Sequence, residues 1–322
     1  MFAKRSALAA CRRVCGRLPI AEFGPLRLQE VRQTLVERGL KRNTVNHYVR
    51  DIIAAFKWGV SQERVSPHVV TSLECVRPFR KGEASLSESE EVEPVPEDMI
   101  EAVRPFVSDQ VWSLIQLQCL TGARQGELVV LRPMDIDRSG SIWRYRPGKH
   151  KTSWRERKRQ INFGPQSQAI LQPYLDGRPD DVYLFSPREA EEARRAKQRA
   201  ARRSHRSTNK TRDAQRREAG RAGASRAGDR YTSSSYRKAI ERACDKAYPA
   251  PEGLEGDELK AWRDEHSWHP HQLRHNAATN ISHRYDLERA KLVLEHSSAE
   301  LTDAIYAKRD SKLIDEAVLE MG

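Results

Sequence analysis

The chain has 322 residues, 38% of them hydrophobic and 32% charged, which is long enough for two domains with modest cores. It contains no run of about 18 apolar residues, so no membrane helix is expected, and its charged first residues lack the long apolar stretch of a convincing signal peptide. The five cysteines are scattered and odd in number, which favours a reducing cytoplasm over a disulfide framework. Cys11 and Cys15 lack a second close cysteine pair and are only weak candidates for a zinc site.

The net charge of +12 is unevenly distributed along the chain. Residues 1–83 and residues 188–230 each carry +9, whereas residues 84–187 carry −2 and residues 231–322 carry −4. Two separate basic blocks of this kind favour nucleic acid as the partner, provided that the charges share a face.

The first block, residues 1–83, is predicted to be a helical domain. A helix from Pro25 to about Gly39 is indicated by apolar side chains three and four residues apart, with proline suited to the first turn and glycine to the C-terminal cap. A second helix over 44–60 and a short third over 66–75 follow. The candidate DNA contacts here are Lys41, Arg42, Arg50 and Lys57. A solvated basic face explains these four cations equally well.

Residues 84–95 are predicted to be a linker, because they lie in a Ser-, Glu- and Pro-rich stretch. The second domain, 96–322, is predicted to be mostly helical with one small sheet. Two alternating segments, 141–147 and 157–163, predict a β-hairpin whose tip is basic. The predicted helices cover about 97–107, 108–121, a segment that begins at Arg124, 165–176, 232–247, 271–284, 286–296, 298–308 and 311–320.

Residues 188–230 stand apart as an insertion rich in arginine, alanine, glycine and serine. Its first half is compatible with an extended charged helix, and its second half with a flexible segment. Arg202 and Arg203 are its candidate DNA contacts. A purely solvated loop is the equally open alternative.

The candidate catalytic residues are cationic side chains spread along the second domain, followed by one tyrosine near the end of the sequence. Arginine holds two phosphate oxygens with its planar fork, tyrosine can act as a covalent nucleophile, and lysine or histidine can protonate a leaving oxygen. Such a set cleaves a phosphodiester without a metal or any other cofactor. The candidates are Arg124, Lys149, Lys151, His271, Arg274, His296 and Tyr306.

Each candidate alone has a simpler explanation. Arg124 and Glu127 are spaced as an ordinary helical ion pair, and Tyr306 as an anchoring aromatic side chain. The histidines at 269, 271 and 275 are too few, without a cysteine or carboxylate, for a convincing zinc site. The order of the whole set along the chain is what favours a catalytic function.

That order resembles the tyrosine recombinase, or phage integrase, family. The resemblance rests on TGARQGEL (121–128), a hairpin lysine, HPHQLRH (269–275), VLEHSS (293–298) and the tyrosine in LTDAIYAKRD (301–310). It also includes TVNHYVRDIIAAFKWGV (44–60) in the N-terminal helices. The fold it implies is mainly α: a helical, SAM-like core-binding domain followed by a mostly helical catalytic domain with a small β-sheet.

The resemblance implies a role for each matching residue. Tyr306 would attack the scissile phosphate to form a 3′-phosphotyrosyl bond, while Arg124 and Arg274 hold the non-bridging oxygens. Lys151 would be the general acid, with Lys149 as the competing assignment. His271 would assist proton transfer and His296 would donate to the phosphate. Glu127 would support Arg124.

The resemblance also implies double-stranded DNA as the partner, a homotetramer on paired sites and a cytoplasmic, nucleoid-associated location. Two alternatives stay open: a catalytically impaired DNA-binding relic of the same fold, and a type IB topoisomerase-like enzyme. Three departures from the family pattern favour the relic. Glu295 stands where glycine is usual, ten residues rather than nine separate His296 from Tyr306, and the N-terminal domain is short enough to suggest truncation.

Overall fold

The computed structural model describes residues 2–83, 86–88, 92–147, 159–201 and 228–294. The chain divides into two compact units, Met1–Glu91 and Val92–Gly322. Within the described ranges, none of the helices combines the length and hydropathy needed to cross a membrane.

The first unit is built from helices. They are α1 (Phe2–Cys15), α2 (Pro25–Glu37), α3 (Arg42–Ser61) and α4 (Pro67–Glu74), with a 3₁₀ turn at Ile20–Glu22. Leu28, Val31 and Leu35 form the buried stripe of α2, whereas Leu26, at the start of the same helix, is exposed. Phe23 stacks on Phe56 of α3 with ring centroids 4.8 Å apart. The predicted helices of this unit are therefore present.

Helix α1 was not predicted. It packs against α2 and α3 through small side chains, Ala7 and Ala10, which are buried. Because alanine gives little hydropathy contrast, the sequence pattern alone did not reveal this face. The first helix predicted from the sequence was the one that begins at Pro25.

The second unit surrounds α6, which is buried on most of its surface. Its elements are α5 (Glu97–Ala102), α6 (Asp109–Thr121), α7 (Gln125–Leu128), β1 (Ile136–Asp137), β2 (Trp143–Tyr145), β3 (Ile161–Phe163), α8 (Pro165–Leu175), α9 (Pro187–Ala200), α10 (Ser233–Ala247), α11 (Gly256–His266), α12 (Pro270–Arg284) and α13 (Leu287–Leu294). Short 3₁₀ turns lie at Arg104–Phe106 and Pro133–Asp135. Helix α6 packs against α8 and α12, and α12 packs against α13.

The sheet has three antiparallel strands in the order β1-β2-β3. Tyr145 pairs with Ile136 on one side and with Ile161 on the other. The predicted hairpin corresponds to β2 and β3, although both strands are shorter than expected, and β1 was not predicted. Tyr145 and Phe163 are both buried, so the short sheet packs into the core of this unit.

Two further helices lie in charged sequence. Helix α11 was not predicted: it has no fully buried residue, and its half-buried apolar side chains are only Leu259 and Trp262. Helix α9 begins the basic insertion and matches the charged helix considered for its first half. Residues at the two ends of the insertion contact each other. The Arg188 backbone amide donates to the Gly228 carbonyl at 3.4 Å, and the Arg188 guanidinium lies 2.6 Å from the Asp229 carboxylate.

Candidate active site

A tight turn brings Arg124 out of the core. Helix α6 ends at Gly122, whose φ of 61° lies in the left-handed region and whose amide donates to the Gln118 carbonyl at 2.8 Å. A side chain at this position would overlap one methyl group of Leu294. Glycine is therefore required twice here, by its backbone conformation and by close packing.

Glu127 holds Arg124 at the start of α7. One Glu127 oxygen accepts from the Arg124 amide at 2.8 Å and the other from the Arg124 Nη1 at 3.0 Å. The carboxylate side chain is only 6% exposed, whereas the arginine side chain is 43% exposed. This ion pair differs from a solvated helical pair because its acidic half is buried and its basic half faces outward.

The surroundings of Glu127 keep it ionised. Burial raises the pKa of this carboxyl group, but the charge of Arg159 and the bonds and charge of Arg124 lower it by more, so the net shift is downward. The Tyr145 hydroxyl donates to the Glu127 backbone carbonyl at 2.8 Å. The sheet thus helps to fix the short helix that presents Arg124.

Arg159 is a site residue that the sequence analysis missed. Its guanidinium is 3% exposed and contacts both Glu127 oxygens, with Nε 3.3 Å from Oε1 and Nη2 3.4 Å from Oε2. In the sequence it is one of several cations in WRERKRQ, and nothing distinguishes it from its neighbours. Only its pairing with a residue 32 positions away reveals it.

Arg274 is buried beside the same turn. It lies on α12 with 2% exposure, and its Nη1 and Nη2 donate to the carbonyls of Gly122 and Leu294. The first turn of α12 is anchored to α6, because the side-chain Nε2 of Gln118 donates to the Pro270 carbonyl at 2.7 Å. Arg124 and Arg274 are 150 residues apart in the chain, and both adjoin the Gly122 turn.

His271 is close enough to both arginines for their charges to act on it. Its pKa is lowered by burial and, after that, by the positive charges of Arg274 and Arg124. The His275 ring stands edge-on to it with centroids 5.4 Å apart, and burial lowers the pKa of His275 to about 4. At neutral pH both rings are therefore uncharged, and His271 is in the form that accepts a proton. Within the described ranges, no three His, Cys, Asp or Glu side chains form a group able to hold a metal ion.

A family model named "Phage integrase family" matches residues 97–312. The chain belongs to the phage integrase family. The match covers about two thirds of the chain and includes every position of the predicted catalytic set. This membership assigns the chain to the recombinases and integrases that cleave and rejoin DNA.

Solved structures show the same fold. The Tn1549 transposon integrase in complex with circular intermediate DNA is 15% identical, with a TM-score of 0.58 over 94% of this chain and 87% of that one. A lambda integrase dimer bound to a COC′ core site is 14% identical, with a TM-score of 0.58 over 94% and 86%. XerH site-specific recombinase bound to a palindromic difH substrate is 14% identical, with a TM-score of 0.58 over 98% and 78%. None of the curated proteins matches the chain.

The structure brings Arg124, Glu127, His271 and Arg274 together. Six further predicted site residues of this phage integrase homologue lie outside the described residues: Lys149, Lys151, Arg202, Arg203, His296 and Tyr306, together with the unusual Glu295. Their roles stay predictions.

In the first unit, three of the four predicted DNA contacts recur about seven and eight residues apart along α3, so Arg42, Arg50 and Lys57 share one side of the helix. Two are already engaged by carboxylates. Arg42 lies 2.6 Å from Glu88, and Lys57 lies 2.5 Å from Glu74. These pairs are partly or largely exposed and therefore weak.

Proposed function

We propose that this recombinase acts site-specifically on double-stranded DNA, through a 3′-phosphotyrosyl intermediate formed by Tyr306. The observation that carries the proposal is the convergence of Arg124 and Arg274 on one glycine turn with a neutral His271 beside them. Two guanidinium groups and an uncharged imidazole suit a phosphate that must gain negative charge during reaction.

The proposed cleavage step is a balanced substitution at phosphorus. The Tyr306 phenol oxygen bonds to the phosphorus while the bond from phosphorus to the 5′ oxygen breaks. His271 receives the phenol proton, and Lys151, or Lys149 in the competing assignment, gives a proton to the leaving 5′ oxygen. Rejoining reverses these transfers with a different 5′-hydroxyl, so the phosphodiester bond is conserved without ATP.

Arg124 and Arg274 would hold the two non-bridging oxygens during this step, and His296 would donate a hydrogen bond to the same phosphate. Glu127 would keep the Arg124 fork pointing outward. Because the Arg274 guanidinium also donates to the Gly122 and Leu294 carbonyls, its plane is set before DNA binds.

The DNA would be gripped by the basic residues of the first unit and of the insertion, including Lys41, Arg50, Arg202 and Arg203. We propose that four copies of the chain act on two paired DNA sites and that the protein is nucleoid-associated in the cytoplasm. The mass of the complex on paired-site DNA tests the assembly: four chains per pair of duplexes are expected, and two would contradict it.

A suicide DNA duplex, nicked close to the cleavage position, tests the reaction. Wild-type protein should form a covalent protein–DNA adduct, and Tyr306→Phe should not. Salt-sensitive DNA binding without any adduct would instead identify an impaired relic, to which Glu295 and the His296–Tyr306 spacing point. Relaxation of supercoiled plasmid at random positions would identify a topoisomerase. Since the target sequence is unknown, duplexes selected from a random pool by binding serve as substrates.

A further inference from the structure

Arg159 joins three parts of the second unit through one side chain. It precedes β3, contacts both carboxylate oxygens of Glu127, and donates from Nη1 to the Leu294 carbonyl at 3.4 Å. A guanidinium that is 3% exposed is costly to bury unless it is paired, and all three of its nitrogens have a partner here.

The partners of Arg159 lead to two predicted catalytic positions. Glu127 holds the Arg124 guanidinium and backbone amide. Leu294 is the last residue of α13 and immediately precedes Glu295 and His296. Arg274 donates to the same Leu294 carbonyl from α12, so guanidinium groups from two elements converge on the end of this helix.

We propose that Arg159 is a positioning residue for DNA strand cleavage, which sets the direction of Arg124 through Glu127 and holds the end of α13 through Leu294. This inference rests on the proposed function. Nε and Nη2 of Arg159 contact Glu127 and its Nη1 contacts Leu294, so its effect on cleavage is assigned to these two partners.

The shape of the guanidinium suits this task. Its planar fork spans both oxygens of one carboxylate, and its third nitrogen reaches a carbonyl on another element. A lysine in its place has one nitrogen at the end of a flexible stem and cannot span all three acceptors. The proposal therefore predicts that Arg159→Lys recovers only part of the cleavage rate.

The electrostatics give a second, independent prediction. The charged or titratable groups facing Glu127 are Arg159 beside β3, Arg124 at the start of α7 and Tyr145 on β2. Arg159 is the largest of the influences that lower the pKa of Glu127, against the burial that raises it. Its removal should raise this pKa, and a protonated Glu127 cannot hold Arg124 through both oxygens. Cleavage by Arg159→Met should therefore slow as the pH falls, more steeply than in wild type.

The experiment compares full-length wild type, Arg159→Met and Arg159→Lys in single-turnover adduct formation on the nicked suicide duplex at several pH values. Binding affinity for the same duplex and thermal unfolding are measured in parallel. The expected result for Arg159→Met is a roughly 100-fold slower cleavage rate at pH 7, because a small misplacement of catalytic groups has an effect of this size. Affinity should stay within about twofold, and the rate should recover as the pH rises.

Arg178→Met is the matched control. Arg178 is also largely buried, and it pairs with both oxygens of Glu189 and donates to the carbonyls of Tyr174 and Tyr183. Its loss should lower the unfolding temperature without changing the pH profile of cleavage.

The outcomes are distinguishable. If wild type forms no adduct, the proposed function fails, whatever Arg159 does. If wild type forms it and Arg159→Met has the wild-type rate and pH profile, or merely parallels Arg178→Met, the positioning role is overturned. Should Arg159→Met fail to fold, Arg159→Lys decides: a slower rate at unchanged affinity supports the role, and a wild-type rate overturns it.

Discussion

The two arginines of the candidate site are held in different ways, and this difference separates their contributions to activity and stability. Arg274 is buried and bonded to backbone carbonyls, so its substitution should affect folding as well as the proposed phosphate contact. Arg124 is 43% exposed and is held by a single buried carboxylate. Arg124 is therefore the better position at which to test the proposed phosphate contact without a large effect on folding.

Arg124→Lys should slow adduct formation by about 100-fold to 1,000-fold, the usual effect of removing one donor to a developing oxyanion, because lysine cannot hold a phosphate through two nitrogens. The free energy of unfolding should change by less than about 0.5 kcal/mol at this half-exposed position. Single-turnover cleavage and thermal denaturation measure the two effects.

Arg132→Lys is the control for this substitution. Arg132 lies in the same unit and holds both oxygens of Asp135 at 2.9 and 3.0 Å, apart from the site. The Arg132→Lys variant should cleave DNA at the wild-type rate. Equal losses in the two lysine variants would contradict a specific role for Arg124.

The Gly122 turn makes a prediction about stability. Gly122→Ala should lower the free energy of unfolding by about 1–2 kcal/mol for the left-handed backbone and by about 1–3 kcal/mol more for the overlap with Leu294. Gly177→Ala has a similar φ of 68° and no described atom within 4 Å of the added methyl group, so it isolates the backbone contribution. Chemical denaturation that gives the same loss for both would rule out the close contact with Leu294.

At the scale of elements, α1 shows how a helix can pack through small side chains. Ala7 is fully buried where α1 meets α2 and α3, while Ala9 on the same helix is exposed. Ala7→Leu should therefore destabilise the protein by about 1–3 kcal/mol through overpacking. Ala9→Leu should stay within about 0.5 kcal/mol of wild type. Similar denaturation midpoints for the two variants would mean that α1 does not pack as described.

The sequence predicted those elements in which local pattern and burial agree. Leu28, Val31 and Leu35 recur at helical spacing and are buried, so α2 was found. The pattern failed where packing is carried by alanine, as in α1, or where a helix has no fully buried residue, as in α11. It also failed for β1, whose two residues are defined only by pairing with β2.

The candidate site was predictable to the extent that spacing carries it. His271 and Arg274 are one turn apart, and Glu127 follows Arg124 by three residues, so each pair could be placed on one helical face. Arg159 could not be found in this way, because its significance comes from a buried carboxylate on another element. That the Gly122 and Leu294 carbonyls accept hydrogen bonds from Arg274 could not be predicted either. Every residue has a backbone carbonyl, and only the folded structure shows which ones lie near this side chain.

At the scale of the whole molecule, the charge and the chemistry lie in different places. Residues 1–83 and 188–230 each carry +9, while the residues of the candidate site stand in stretches of −2 and −4. Bulk charge should therefore govern DNA affinity and its dependence on salt. A few placed groups should govern cleavage.

Two pairs of arginines test this separation. If Arg202 and Arg203 each neutralise a phosphate, replacing both by glutamine should reduce the slope of log affinity against log salt by about 1.8, since each contact contributes about 0.9. DNA binding is measured between low and moderate salt. An unchanged slope would leave the insertion as a solvated loop.

Arg194→Gln together with Arg195→Gln removes the same charge from α9. Both arginines bond to Glu191 at 2.7 Å, and their hydrogen bonds lower the pKa of that carboxyl group to about 2. Because Glu191 already balances part of their charge, this pair should change the slope less than the first. A slope change as large as that of the first pair would show that only total charge matters.

The meeting of Arg188 with Gly228 and Asp229 has a consequence for evolution and engineering. The two ends of the basic insertion are already held together. The entropic cost of closing the insertion therefore rises by only about 0.6 kcal/mol for each doubling of its length. Lineages can therefore lengthen, shorten or replace what lies between these points at little thermodynamic cost to the catalytic unit. The same position is the natural place to graft a fluorescent reporter or a new DNA-targeting module.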